Sequence, residues 1–126
     1  SCLVADGEPG RVLGVVDDES DLWSAVSASG AFTVTQLGAA DQLLADRFAG
    51  LLPTPGGPFT VGDWAPVAPG PVPGHLGTWV GCRLDRAAPF GWGLLVEATI
   101  TEVRLGDADA DVEPLIHHRG RYRRAM

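Results

Sequence analysis

"GLLVEATITEV" (Gly93–Val103) decides the architecture of this chain. Leu94, Val96, Ala98 and Ile100 alternate with Glu97, Thr99 and Thr101, which is the period of a β-strand with one apolar face. Apolar character then swaps to Val103 and Leu105, and a β-bulge between Thr101 and Val103 explains the swap. Just upstream, "TWVGCRL" (Thr78–Leu84) puts Val80, Cys82 and Leu84 on one face of a second strand. "RVLGVV" (Arg11–Val16) is nearly continuous in apolar residues and reads as a strand buried on both faces. "AFTVTQL" (Ala31–Leu37) alternates Phe32, Val34 and Gln36 with Thr33, Thr35 and Leu37. "PLIHH" reads as a last short strand, after the acidic turn "GDADADVE".

Two segments change period. In "DDESDLWSAVSASG" (Asp17–Gly30), Ser20 or Asp21 can cap a helix, Leu22 and Val26 are spaced i,i+4, and Gly30 sits at C′. "AADQLLADRFAG" (Ala39–Gly50) repeats the pattern with Leu44 and Phe48, and Gly50 ends it. From Leu51 to Gly77 the chain holds seven prolines, so it allows at most short edge strands around "FTVGDW". A surface excursion of that length is often a functional lid. The sum is mainly antiparallel β with two short helices, and closure into a small barrel removes the sheet edges.

With 126 residues the chain makes one domain. Its net charge of −7 argues against nucleic acid or an anionic membrane as general partner, since its field repels polyanions. Cys2 and Cys82 are too few for a disulfide framework and show no metal-ligand spacing, so no metal site is expected and the cytoplasm is the default location. No apolar run approaches the roughly 18 residues of a spanning helix. There is no initiating Met, and the reading expects a preceding segment carrying a further strand. The C-terminal "PLIHHRGRYRRAM" (Pro114–Met126) concentrates Arg119, Arg121, Arg123 and Arg124 with His117, His118 and Tyr122, in a chain with no lysine.

The order of these segments resembles the flavin reductase-like family. "SGAFTVTQLGAADQLLADRFAG" is similar to its F-x-V-N-x-L strand and the helix ending in R-F-A. "GTWVGCRLDR" resembles its W-x-x-C strand, "GWGLLVEATITEV" its G-D-H strand, and "PLIHHRGRY" its closing P-L-x-x-x-R-G-x-Y. The resemblance implies an FMN-binding split β-barrel, a homodimer with flavin at the subunit interface. It further implies hydride transfer from NADH or NADPH to FMN or FAD, with reduced flavin passed to a monooxygenase. The flavin carries that chemistry, so no catalytic side chain is expected.

Carried over residue by residue, the resemblance places Ser1, at the end of a T-x-S-S-like loop, with Asp17, Ser20 and Trp23 at the flavin. Thr35 (often Asn in relatives) and Gln36 lie beside the ring edge. Trp92, within "GWG" where relatives have a histidine, and His117 flank the nicotinamide. The turn "DDESDLW" departs from the Ser/Thr-rich turn of relatives, since three consecutive acids repel a phosphate. Only Ser20 and helix N-terminal N–H groups attract it there. Arg119 can supply the missing charge, to the flavin of its own or the partner subunit.

Each residue also has a plainer reading. Ser20 and Asp21 serve as helix caps, Trp23 as core or interface, and Thr35 and Gln36 as solvent-facing positions. Trp92 can plug a barrel mouth or meet a second subunit, and Trp64 can cover the site or do the same. His75 reads as an exposed loop residue. His117, on the face of Leu115, reads as a hydrogen-bonded core histidine, and Arg119 and Arg121 as a solvated tail. Two further functions compete: a non-catalytic flavin- or cofactor-binding dimer, and an oxidase of the pyridoxamine-phosphate type, which the negative charge disfavours.

Overall fold

The computed structural model describes residues 2–52, 55, 57, 59, 63–106 and 113–124. Its centre is a five-stranded antiparallel sheet ordered β1-β2-β7-β6-β3. The strands are β1 (Cys2–Ala5), β2 (Arg11–Val16), β3 (Ala31–Val34), β6 (Trp79–Phe90) and β7 (Gly93–Arg104). Helix α1 (Asp21–Ser29) links β2 to β3, and α2 (Gln42–Phe48) follows β3. Two separate hairpins complete the chain, β4 (Trp64–Val67) with β5 (Gly70–Pro73) and β8 (Leu115–His118) with β9 (Arg121–Arg124).

The long β6–β7 hairpin positions everything else, and two register slips shape it. Gly81 pairs with Glu102 but Cys82 with Ile100, so Thr101 is the extra residue of a bulge. That bulge keeps Ile100 and Val103 on one face, as the swap in the sequence predicts. Leu84 pairs with Ala98 and Arg86 with Glu97, which leaves Asp85 extra on β6. The Asp85 carboxylate accepts the Thr99 hydroxyl hydrogen at 2.5 Å and faces Arg83 and Arg11, each at 3.3 Å. The Thr99 hydrogen bond, reinforced by both guanidinium groups, holds the Asp85 carboxyl below the usual range.

One face of the sheet holds the core: Val12, Cys82 and Ala98, with Phe32, Val34, Val80 and Ile100 packed against them. Cys2 pairs with Gly14, which the register places on the same face of the sheet. Among the described residues no hydrogen-bonded ladder joins β3 to β1. Burial first, and Cys2 second, push the Cys82 thiol up to about 11. At neutral pH an aromatic disulfide reagent should therefore label Cys2, which is exposed, and spare Cys82 until denaturant is added. Rapid labelling of both thiols in the folded protein would contradict this packing.

"RVLGVV" is not buried on both faces: Val12 is, while Val15 stays 41% exposed. The reason is position, since β2 lies next to edge strand β1 and its outer face is uncovered. A strand at Cys2–Ala5 was not expected at all. "AFTVTQL" ends as a strand at Val34, although Leu37 and Ala39 bond across to Leu115 and Glu113. The proline-rich excursion contains a hairpin rather than only short edge strands, and half of "FTVGDW", residues 60–62, lies outside the described residues. Its prolines fall in alternate pairs, Trp64 with Pro73 and Pro66 with Pro71. Alternate pairs of an antiparallel ladder exchange no hydrogen bonds, so the missing N–H groups are not needed there. "PLIHH" is not the last strand, because Arg119 and Gly120 turn the chain into β9 with φ of 52° and 78°. The acidic turn at 107–112 lies outside the described residues.

The β4–β5 hairpin lies across the outer face of β3 and β6. The Thr33 hydroxyl donates to the Pro71 carbonyl at 3.1 Å. A Cβ at Gly81 would stand 2.7 Å from the Pro69 ring, so a side chain there would push the hairpin away. Val72 and Leu76 are buried, as is Trp79 on β6. An edge-to-face cluster of Phe48, Phe59 and Trp64, with ring centroids 4.6–5.8 Å apart, ties the same hairpin to α2.

Candidate functional site

The sheet's topology sends the candidate residues to two ends. β2 stops at Val16, paired with Leu94, beside the turn that joins β6 to β7. Asp17, Ser20 and Trp92 therefore share one end. β3 runs opposite to β2 and stops at Val34, paired with Val80 near the start of β6. Thr35 and Gln36 follow there, and the bridge from Gly38 to Pro114 brings the C-terminal hairpin to that end. About ten residues of β6, near 33 Å if straight, separate Val80 from Phe90. A single copy does not assemble these residues around one ligand.

At the first end, Ser20 caps α1. Its hydroxyl accepts the Trp23 N–H at 3.1 Å and donates to the Asp17 carbonyl at 2.6 Å. The Asp17 carboxylate accepts the Glu19 N–H at 2.9 Å, which folds the acidic turn on itself. Gly30 closes the helix in the left-handed conformation, φ 72°, and bonds to the Val26 carbonyl. Trp23 is half-buried. Trp92 projects wholly into solvent, at 102% relative exposure.

At the second end, the Thr35 hydroxyl oxygen is buried and has no hydrogen-bond partner among the described residues. A hydroxyl left so typically costs about 1–3 kcal/mol, unless something else meets it. Gln36 is exposed. His117 does share the face of Leu115, but it is not a core histidine. It is exposed, and its ring meets Tyr122 edge-on at 5.3 Å. The cause is the unforeseen β9, which pairs His117 with Tyr122 and holds it beyond the sheet. Arg119 stands exposed at the hairpin tip. Ser1 lies outside the described residues.

Three polar junctions were missed by the sequence reading. The Asp41 carboxylate accepts the Gly38 N–H at 2.8 Å and lies 2.6 Å from Nε2 of His75, so His75 is exposed but paired. That contact latches the end of the proline-rich excursion to the start of α2. The Tyr122 hydroxyl donates to the Asp46 carboxylate at 2.5 Å and docks the C-terminal hairpin on α2. Asp85 with Thr99, Arg11 and Arg83 is the third. No local spacing signals contacts between residues 34 or 76 positions apart.

The Asp46 hydrogen bond, helped by desolvation, raises the Tyr122 pKa. A folded pKa above the ordinary value of about 10 means a contribution complete below that pH and lost as pH rises through the folded value. Tyr122→Phe should therefore loosen the hairpin at neutral pH and abolish its alkaline loosening. Amide exchange at residues 115–124, followed from about pH 8 to 11, measures both. Equal protection in the two proteins would remove Tyr122 as the anchor.

The chain belongs to the flavin reductase like domain family, whose model matches residues 1–126. It is thus an oxidoreductase of the flavin reductase class. Among solved structures it is similar to nitrilotriacetate monooxygenase component B (a homologue) from Mycobacterium thermoresistibile, at 24% identity and a TM-score of 0.87, covering 100% of this chain and 69% of that one. It is similar to an NADH:FAD oxidoreductase from Streptomyces globisporus, at 21% and 0.82, covering 100% and 75%. The styrene monooxygenase flavin reductase from Pseudomonas putida is similar at 17% and 0.79, covering 100% and 77%. At these identities the likeness concerns the fold. Curated protein sequences yield no match. Among the described residues no helix is long and apolar enough to cross a membrane.

Proposed function

We propose that this chain is an NAD(P)H:flavin oxidoreductase working as a cytoplasmic homodimer of split barrels. It would hold FMN or FAD where two copies meet and pass reduced flavin to a monooxygenase. The observation that carries this reading is the match of the flavin reductase like domain model to the whole chain.

The residues present fit a flavin in part. The unpartnered Thr35 hydroxyl supplies a hydrogen-bonding group for the edge of a polar ring system. The acidic turn does not suit a phosphate, and the Ser20 hydroxyl is already engaged there. The positive charge falls instead to Arg119, exposed and free of any carboxylate among the described residues. A second copy supports the assembly, because two chains packed side by side in opposite directions bring the Trp92 end of one to the Thr35 end of the other. The outer sheet face offers a surface for it. Leu13, Val15, Leu95, Ala88 and Phe90 line this face, Val15 and Phe90 being 41% and 60% exposed.

Bound flavin supplies the hydride acceptor for the nicotinamide. The chain's own residues bind, orient and exclude water, and in that role orientation and desolvation set the rate. Thr35 and Gln36 would fix the ring edge, Arg119 the phosphate, and Trp92 and His117 the nicotinamide side. Asp17, Ser20 and Trp23 form the turn and first helical turn that shape the opposite wall.

The acidic turn favours a second reading, a dimer that binds a cofactor without turnover. Purification separates the two. A yellow protein that retains added FMN and oxidises NADH or NADPH is expected. Protein that retains FMN but oxidises neither is the binding module, and colourless protein that takes up no flavin removes the reductase and leaves the non-catalytic dimer.

A further inference from the structure

The geometry points to the outward face of the β8–β9 hairpin as an electrostatic docking surface for an acidic protein partner. Within the reductase reading, on which this identity rests, the partner is the enzyme that consumes the reduced flavin. The register pairs Ile116 with Arg123 and His118 with Arg121, so these four side chains share one face. Leu115, His117 and Tyr122 share the other, which Tyr122 docks on Asp46 of α2. The outward four are all exposed.

Among the described arginines, those that are exposed without a carboxylate partner gather on this hairpin, since Arg47 of α2 is half-buried. Arg11, Arg83, Arg86 and Arg104 on the sheet each lie 2.8–3.6 Å from a carboxylate. Arg121 and Arg123 have no such partner among the described residues, in a chain of net charge −7. The cations are also preorganised. A two-residue turn with both φ positive closes the hairpin, and the Tyr122 anchor holds it, so little freedom is left to lose on docking.

The composition fits a protein rather than another anion. Arginines around an exposed Ile116, 37% accessible, match the mix of Arg and apolar groups that protein interfaces favour. The face is one side of a protruding hairpin, not a concavity that could converge donors on a phosphate. The net negative charge opposes nucleic acid and anionic membrane, and it also turns an acidic partner away from every other surface. Such a face steers encounter and fixes orientation more than it adds affinity.

The test uses the full chain and a fluorescent polyglutamate peptide as probe. Binding should weaken as salt rises from about 0.05 to 0.5 M. Arg121→Glu with Arg123→Glu should weaken it roughly tenfold or more, while Arg104→Glu, a paired sheet arginine, should change it little. NADH oxidation with free FMN should be unchanged in the double variant. The assignment is overturned if the peptide fails to bind, or if Arg104→Glu weakens it equally. It is also overturned if inorganic phosphate or phosphatidylserine vesicles bind the same residues more tightly. Dissociation of a dimer by the double variant in sedimentation would give the face to a second copy instead, and lost NADH oxidation would place it in the active site. A wild-type chain inert toward both NADH and NADPH sinks the reductase reading, while the peptide result still decides the surface.

Discussion

Arg119→Gly is expected to weaken FMN binding about 30-fold while leaving riboflavin binding unchanged. A charge-assisted contact to phosphate contributes roughly 2 kcal/mol, which corresponds to that ratio. Glycine is the informative replacement because Arg119 sits at φ 52°, where a Cβ is disfavoured and glycine is not. The hairpin should therefore remain closed, and the loss reports the guanidinium alone. Riboflavin has the same ring but no phosphate, so it separates a phosphate contact from a general disturbance. Arg119→Lys should recover part of the affinity, since it keeps the charge but not the planar fork. Flavin fluorescence quenching measures all three proteins. Equal loss for FMN and riboflavin would reassign Arg119 to the structure of the turn.

The expected effect is large because the chain offers few alternatives. Asp17, Asp18, Glu19 and Asp21 surround the place where relatives offer hydroxyls, and the structure engages Ser20 within that turn. Two chains meeting in opposite directions would bring the cationic tip of one close to the acidic end of the other. The phosphate charge would then fall between two subunits rather than within one, which would make flavin affinity sensitive to dimerisation.

Periodicity made the core of the fold readable from sequence. The alternation in Gly93–Val103, the swap at Thr101 and the caps at Ser20 and Gly30 are local signals, and the structure places a strand, a bulge and a helix there. What escaped was set by tertiary context. Cys2–Ala5 is a strand because β2 offers an edge, and four exposed residues carry no burial pattern to announce it. Pro66, Pro71 and Pro73 read as breakers until their alternate pairing is known. Arg121–Arg124 carries three arginines and one tyrosine, so its pairing follows from the Arg119–Gly120 turn rather than from hydrophobicity. Of the candidate site, residue types were legible but not their distribution over two ends, since that depends on strand order. His117 was misjudged for the same reason: alternation gives the face and not what covers it.

Ala98→Leu is expected to destabilise the protein by about 3 kcal/mol, at the upper end for added core volume. Ala98 is completely buried, paired with Val12 on one side and Leu84 on the other. It belongs to the cluster with Val12 and Cys82, closed over by Phe32, Val34, Val80 and Ile100. A leucine adds three carbons on the covered side of the sheet, where Phe32, Val34, Val80 and Ile100 already pack. The packed side chains must part or the leucine must leave its rotamer, and both are unfavourable in a close-packed interior. For a domain of this size the melting temperature should fall by roughly 10 °C. Leu105→Ala, at a position 81% exposed, should shift it by no more than about 2 °C. Parting the cluster would also disturb the ends of the strands that carry the candidate site, so flavin affinity should fall with stability in Ala98→Leu and not in Leu105→Ala. A leucine accepted at position 98 without loss of either would mean that this face is loosely filled, and that its packing does not shape the flavin site.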